Sequence, residues 1–321
     1  VSSPAPHDPH TATPGRPTPQ RITPTQANVE KVALIFEGGA MRASYTAAVV
    51  VKLIEQGIVF PFVAGISAGA TNTLNYLSSD PWRARASFID LAADPNFGNW
   101  RTFVQGKGLF HAEYIYRQTS GPDGLLPFNM DAFASHPADL AIQALRCSDG
   151  ATITWGRPDL RTLDEILPRV QASSTMPVVM PPVEIEGDFY VDGALGTSGG
   201  IALDAARAAG YTKFFIVLTQ ERGYTKGPLP APWFYRRHFR RWPAVADALV
   251  TRHLRYNATR EEVFALEDSG DAFVFVPDHM PVSNGERDLA KLTQAHALGL
   301  EQAEREVPAW REFLGLGPET A

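Results

Sequence analysis

A single cysteine, Cys147, stands in the whole chain, so no internal disulfide can form and the fold must be held by its core. Long apolar runs are missing too: none reaches the roughly 18 residues that a membrane-crossing helix needs. Positive charge is in deficit. With 29 Lys and Arg against 35 Asp and Glu, the formal net charge is −6, and such a chain lacks the basic footprint of a nucleic-acid binder. The first residues lack the charged-then-apolar order of a signal peptide. A cytoplasmic protein, peripheral at a membrane at most, is the expectation. Neither G-x-G-x-x-G nor G-x-x-x-x-G-K-[ST] occurs, which removes the usual dinucleotide and phosphate loops.

What remains is ordinary globular material: 321 residues, 44% of them hydrophobic. Residues 1–28 are rich in Pro, Thr, Ser and Ala and bury too little to offset the entropy of ordering, so they read as a disordered tail. His7 and His10 in that tail are read as incidental rather than as metal ligands. From residue 29 to 321 the pattern predicts one α/β domain. "KVALIF" (Lys31–Phe36) is a buried strand, Met41–Gln56 a helix ending at Gly57, and "FVAGIS" (Phe62–Ser67) a second strand leading into a helix at Ala68. Strand, helix, strand, helix opens a parallel sheet covered by helices. Residues 81–150 are less regular and read as a mainly helical and loop-like cap. A hairpin over Val183–Gly196 turns at Glu186–Asp188, with a helix at Ile201–Ala209 and a strand at Lys213–Thr219. A long helix over 243–267, a strand at Ala272–Pro277 and an amphipathic helix at Arg287–Glu306 close the chain.

Two glycine turns lie close together near the start. "GISAG" (Gly65–Gly69) matches G-x-S-x-G, in which small neighbours let a sharp strand-to-helix turn project the Ser67 hydroxyl. The helix that follows offers unpaired N–H groups where an oxyanion would form. The first turn, "EGGAMR" (Glu37–Arg42), presents the consecutive N–H groups of Gly38, Gly39 and Ala40, which read either as an anion-binding nest or as a plain tight turn. Asp192 in "YVDGALG" ends a strand in a glycine turn, where it reads as a base facing the same end of the sheet or as turn chemistry alone.

The three turns together, in this order, resemble the patatin-like phospholipases, whose motifs are G-G-G-x-R/K, G-x-S-x-G and D-G-[GA]. Here they are Gly38-Gly39-Ala40-Met41-Arg42, Gly65–Gly69 and Asp192-Gly193-Ala194. The resemblance runs from about Val32 to Gln220, and more loosely into the C-terminal region. It implies a three-layer α/β/α sandwich with a mainly parallel sheet, and a serine acyl hydrolase that cleaves fatty-acyl esters of lipids through an acyl-enzyme. Ser67 would be the nucleophile, Asp192 the base without a histidine, and Gly38, Gly39 and Ala40 the oxyanion hole. The resemblance implies no cofactor and no metal. Two departures are visible: Ala40 replaces the third glycine, and Ala43 stands where glycine is usual after Arg42. Alanine still donates its N–H but resists positive φ.

Arg42 reads as support for the loop, as an attractor for an anionic head group, or as a surface residue. "ASSTMPVVMPP" (Ala172–Pro182) reads as an acyl-groove lining or an ordinary loop. "WFYRRHFRRW" (Trp233–Trp242) interleaves four arginines with aromatics and reads as a solvated helix start or a contact for an anionic bilayer. Two rivals to the dyad stay open. One is a Ser67–Asp192–His279 triad of the α/β-hydrolase kind, since His279 follows the last strand. The other is a non-catalytic lipid-binding relative that kept the fold.

Overall fold

The computed structural model describes residues 24–98 and 110–317; most of the stretch read as a tail, with His7 and His10, lies outside them. In chain order the elements are β1 (Val32–Phe36), α1 (Ala43–Glu55), β2 (Phe62–Gly65), α2 (Ala68–Leu77), α3 (Pro81–Ala86), α4 (Met130–Ser135), β3 (Asp139–Arg146), β4 (Thr152–Trp155) and α5 (Leu163–Ser173). They continue with β5 (Val183–Ile185), β6 (Asp188–Asp192), α6 (Leu203–Ala208), β7 (Lys213–Val217), α7 (Pro232–His238), α8 (Pro243–Asp268), β8 (Ala272–Phe275) and α9 (Leu289–Phe313). The strands form one sheet in the order β5-β6-β3-β2-β1-β7-β8, with β4 also paired to β3. From β3 to β8 all neighbours are parallel; β4, β5 and β6 add an antiparallel flank.

Side chains on a strand alternate between faces, and here the alternation builds two cores. Val32, Leu34 and Phe36 of β1 join Val63, Phe215 and Val217 on one face, under α1, α2 and α9. Ala33 and Ile35 join Phe62, Ala64, Phe214 and Ile216 on the other, under α6 and α8. All five residues of β1 are therefore buried, as expected for a parallel strand covered on both sides. The result is a three-layer α/β/α sandwich. Cys147 is buried, and burial pushes its thiol up to about 12, leaving it inert as a nucleophile.

Three places differ from the sequence reading. The cap expected over residues 81–150 contains β3, which lies inside the sheet between β2 and β6. "DLAIQALR" is made of good helix formers, and only pairing on both edges, with burial on both faces, turns it into a strand. The closing helix runs past Glu306 to Phe313 despite Pro308. One backbone bond is lost at the proline, but the next turn buries Val307 and Trp310, and Trp310 is fully enclosed. Asn28, placed at the end of the tail, is bound on two sides: its amide donates to Gly57 O at 2.7 Å and its carbonyl accepts from Val59 N at 2.8 Å.

Register sets the site. Phe36 is level with Gly65 of β2 and Val217 of β7, so Glu37, Ser67 and Thr219 emerge side by side at the carboxyl end of the sheet. Gly65 is level with Ile142, and Ala144, two residues on, is level with Asp192 of the antiparallel β6. Ser67, two residues beyond Gly65, thus arrives beside Asp192.

Candidate active site

Ser67 sits between β2 and α2 with φ +58° and ψ −125°, a backbone conformation that is costly for a residue with a side chain. The turn closes this tightly because its flanking residues are glycines. A Cβ on Gly65 would lie 2.2 Å from Gly69 O, and one on Gly69 would lie 2.2 Å from Phe36 O. The strained serine is held by Ser173 at the end of α5, whose Oγ accepts the Ser67 N–H at 2.9 Å. Helix α5 starts at a capping box, Thr162 with Glu165, a signal that locates the helix in the sequence but not the duty of its last residue.

The Ser67 hydroxyl donates to Asp192 Oδ2 at 2.9 Å. Ser67 and Asp192 are 7% and 6% exposed, so the pair is nearly dry. The β5–β6 hairpin delivers Asp192, turning at Glu186 and Gly187, both at positive φ as a tight hairpin requires. The other carboxylate oxygen accepts from Ala194 N at 2.8 Å, and the Asp192 N–H donates to Thr175 O at 2.8 Å. Burial raises the Asp192 carboxyl above its ordinary range; the charge of Arg252, the Ala194 N–H and the Ser67 hydroxyl pull the other way. His279 is elsewhere: its side chain is 74% exposed and its Nδ1 lies 3.1 Å from Glu221 Oε1.

The first turn leans on the second. A Cβ on Gly38 would lie 3.1 Å from Ser67 Cβ. The three expected donors are not equivalent, however. The Gly38 N–H is spent on Gly200 O at 3.0 Å, whereas the N–H groups of Gly39 and Ala40 have no acceptor among the described residues. Neither has that of Ala68, the first residue after the serine. Ala40 reaches its place at φ +46°, so alanine here adopts the conformation it resists. Sequence reading missed what pins the loop. Glu37, 2% exposed, accepts from Thr219 N at 2.5 Å and from the Tyr256 hydroxyl at 2.6 Å. Arg42 donates from Nε to Thr219 O at 3.2 Å, the same residue whose N–H Glu37 accepts.

From Ser67 a cavity of about 80 Å³ opens, lined by Met41, Phe88, Leu91, Tyr116, Met176 and Met180 among others. The loop over Ala172–Pro182 thus contributes two methionines to an apolar chamber. Tyr116 was not singled out in the sequence; burial chiefly holds its phenol above the ordinary range. No helix among the described residues is long and apolar enough to cross a membrane.

The profile of the patatin-like phospholipases matches residues 34–212, and residues 242–315 match a domain of unknown function, DUF6363. The chain is 27% identical over 210 residues to the uncharacterized protein YjjU of Escherichia coli K12, an alignment covering 64% of this chain and 56% of that protein. It therefore spans about half the length of that relative. Among solved structures, VipD from Legionella pneumophila aligns over 86% of this chain and 67% of its own, with TM-score 0.41 and 10% identity. The family match takes in Ser67 and Asp192 and covers more than half of the chain, and the chain belongs to the patatin-like phospholipase family.

Proposed function

We propose that the chain is a serine acyl hydrolase acting on fatty-acyl esters of lipids through a Ser67–Asp192 dyad. The observation that carries this reading is the direct 2.9 Å hydrogen bond from the serine hydroxyl to a buried carboxylate. With the acyl chain in the apolar cavity, the ester carbonyl carbon would face Ser67 Oγ. As the C–O bond forms, the hydroxyl proton passes to Asp192, which burial makes a stronger base than a carboxylate in water. The N–H groups of Gly39, Ala40 and Ala68 take the negative charge that develops on the carbonyl oxygen. Asp192 then returns the proton to the departing alcohol, and water, activated by the same carboxylate, releases the acid from the acyl-enzyme.

In this reading Gly38 shapes the hole without donating to it, and Arg42 holds the loop. The exposed His279, paired with Glu221, favours the dyad over the triad. The unspent donors and the apolar chamber favour a working enzyme over a lipid-binding relative. Residues 29–321 would act as one hydrolase domain, since α8, β8 and α9 complete the same sheet and its two covering layers. A fluorophosphonate probe is the direct test: it should label wild type at Ser67 and fail on Ser67→Ala. Labelling at any other residue, or none in folded protein, overturns the proposal.

A further inference from the structure

The basic residues of this acidic chain are unevenly placed. Six lie between Arg222 and Ala246, and no Asp or Glu occurs between Glu221 and Asp247. The middle of that stretch is α7, which also carries Trp233 and Phe234, 68% and 41% exposed, two of the five large apolar side chains left open among the described residues. Exposing both rings and cations on one short helix is costly unless something covers them.

The helix is fixed from below. Phe239 and Val245 pack with Leu145, Cys147, Val191 and Leu195, and Trp242 lies 5.5 Å from the Phe189 ring. Because Cys147 N donates to Phe189 O at 2.7 Å, this anchor stands just beyond the carboxyl end of β3. The Ser67–Asp192 pair is at the same end of the sheet. On the outer side, Arg241 stacks over Trp242 at 4.9 Å, and Arg236 meets Asp247 at 3.5 Å in an exposed pair. Arg237 and Arg240 are exposed and have no carboxylate partner among the described residues.

We infer that Trp233–Trp242 is a docking surface for an anionic lipid bilayer, bringing the carboxyl end of the sheet toward the membrane. An interfacial tryptophan suits the level of the lipid head groups. Arginines can bury their stems while their guanidinium groups reach phosphate. Charge complementarity is local, since outside this segment the chain is more acidic still. That acidity disfavours an extended polyanion such as single-stranded RNA, which needs cations continued along a groove. The choice of a bilayer rests on the lipid-ester reading above.

The test uses the full chain carrying Ser67→Ala, in flotation with vesicles of phosphatidylcholine alone or with about 30 mol% phosphatidylglycerol, at low and high salt. Binding should appear with the anionic vesicles and weaken in high salt. Added to that chain, Arg237→Gln with Arg240→Gln should lower affinity by about 25-fold, each cation near the surface contributing a factor of about five. Trp233→Ser with Phe234→Ser should also weaken it. In the background that retains Ser67, both double variants should hydrolyse a water-soluble short-chain ester as wild type does, which establishes that they fold. Equal binding to neutral vesicles, no binding, no effect of the variants, or tighter binding to single-stranded RNA would each overturn the proposal. If vesicles bind but wild type cleaves no ester, the catalytic reading fails and the docking surface stands.

Discussion

The two glycine turns sit against each other at the end of one sheet, yet they are shaped by different means. The serine turn is made locally: glycines at Gly65 and Gly69 allow a closure that any Cβ would block at 2.2 Å, and one distant hydroxyl, on Ser173, tethers it. The other turn has one glycine fewer than its family pattern and is held from afar. Glu37 reaches Thr219 and Tyr256, 182 and 219 positions away, and Arg42 reaches Thr219 across 177. A turn can be enforced by what its residues lack or by what they hold. The second way tolerates Ala40 at φ +46°, because the surrounding contacts offset a local cost of about 1–2 kcal/mol.

That contrast can be broken at several points. The largest effect is expected at the Ser67–Asp192 pair, beside which both turns lie. Asp192→Asn keeps the shape and removes the base, so kcat/KM should fall by roughly three orders of magnitude or more. The fold should lose nothing. A buried acid whose pKa is raised above its unfolded value costs stability above the folded pKa, and that cost vanishes below the unfolded one. At neutral pH the asparagine variant should therefore melt at or above the wild-type temperature; a clear fall in Tm would contradict the burial argument. The same shift predicts that wild-type kcat/KM drops as acid protonates Asp192, with an apparent pKa above the ordinary 3.8 of an aspartate. A rate still flat at pH 4 would count against Asp192 as the base.

Next comes the local turn. Gly69→Ala forces a Cβ against the Phe36 carbonyl, and should cost at least about 3 kcal/mol of stability, along with nearly all activity. A stable, active variant would mean that the turn is not held by its glycines. A smaller effect is expected from Glu37→Ala, which orphans the Thr219 N–H and the Tyr256 hydroxyl. Denaturant unfolding should record a loss of about 2–4 kcal/mol, and kcat should fall roughly 10- to 100-fold with KM little changed, as for lost oxyanion donors. A rise confined to KM would assign Glu37 to substrate binding instead. The smallest effect is Ala40→Gly, which relieves a left-handed alanine but loosens the unfolded chain. Stability should change by less than about 1 kcal/mol and kcat by under about threefold. A tenfold change in either direction would show that the loop depends on the alanine itself.

How much could be read in advance follows the same division. The strands β1 and β7 and the helix α1 announce themselves by continuous or periodic burial, and the elbow and the Asp192 turn by small residues at fixed spacing. Ser67 was legible for that reason, and Asp192 stood out as a candidate base only through the resemblance of the three turns, in order, to a known family. β3 was not, because its alanines, leucines and glutamine favour a helix until three neighbouring strands accept its backbone. Ser173, Gly200, Thr219 and Tyr256 were equally invisible, since nothing in a serine, a glycine, a threonine or a tyrosine states which distant N–H or carboxylate it will meet.

The sequence by itself determined where the backbone can turn sharply and which residues alternate into a core. Those are properties of single residues and their near neighbours. Tertiary structure decided that β6 enters antiparallel in the register that sets Asp192 beside Ser67. It also decided that Gly38 donates to Gly200 while the N–H groups of Gly39 and Ala40 have no acceptor among the described residues. Such outcomes depend on which strand edges pair and which buried polar groups find partners. In a dry interior an unpaired donor is costly, and only the assembled sheet settles where each one goes.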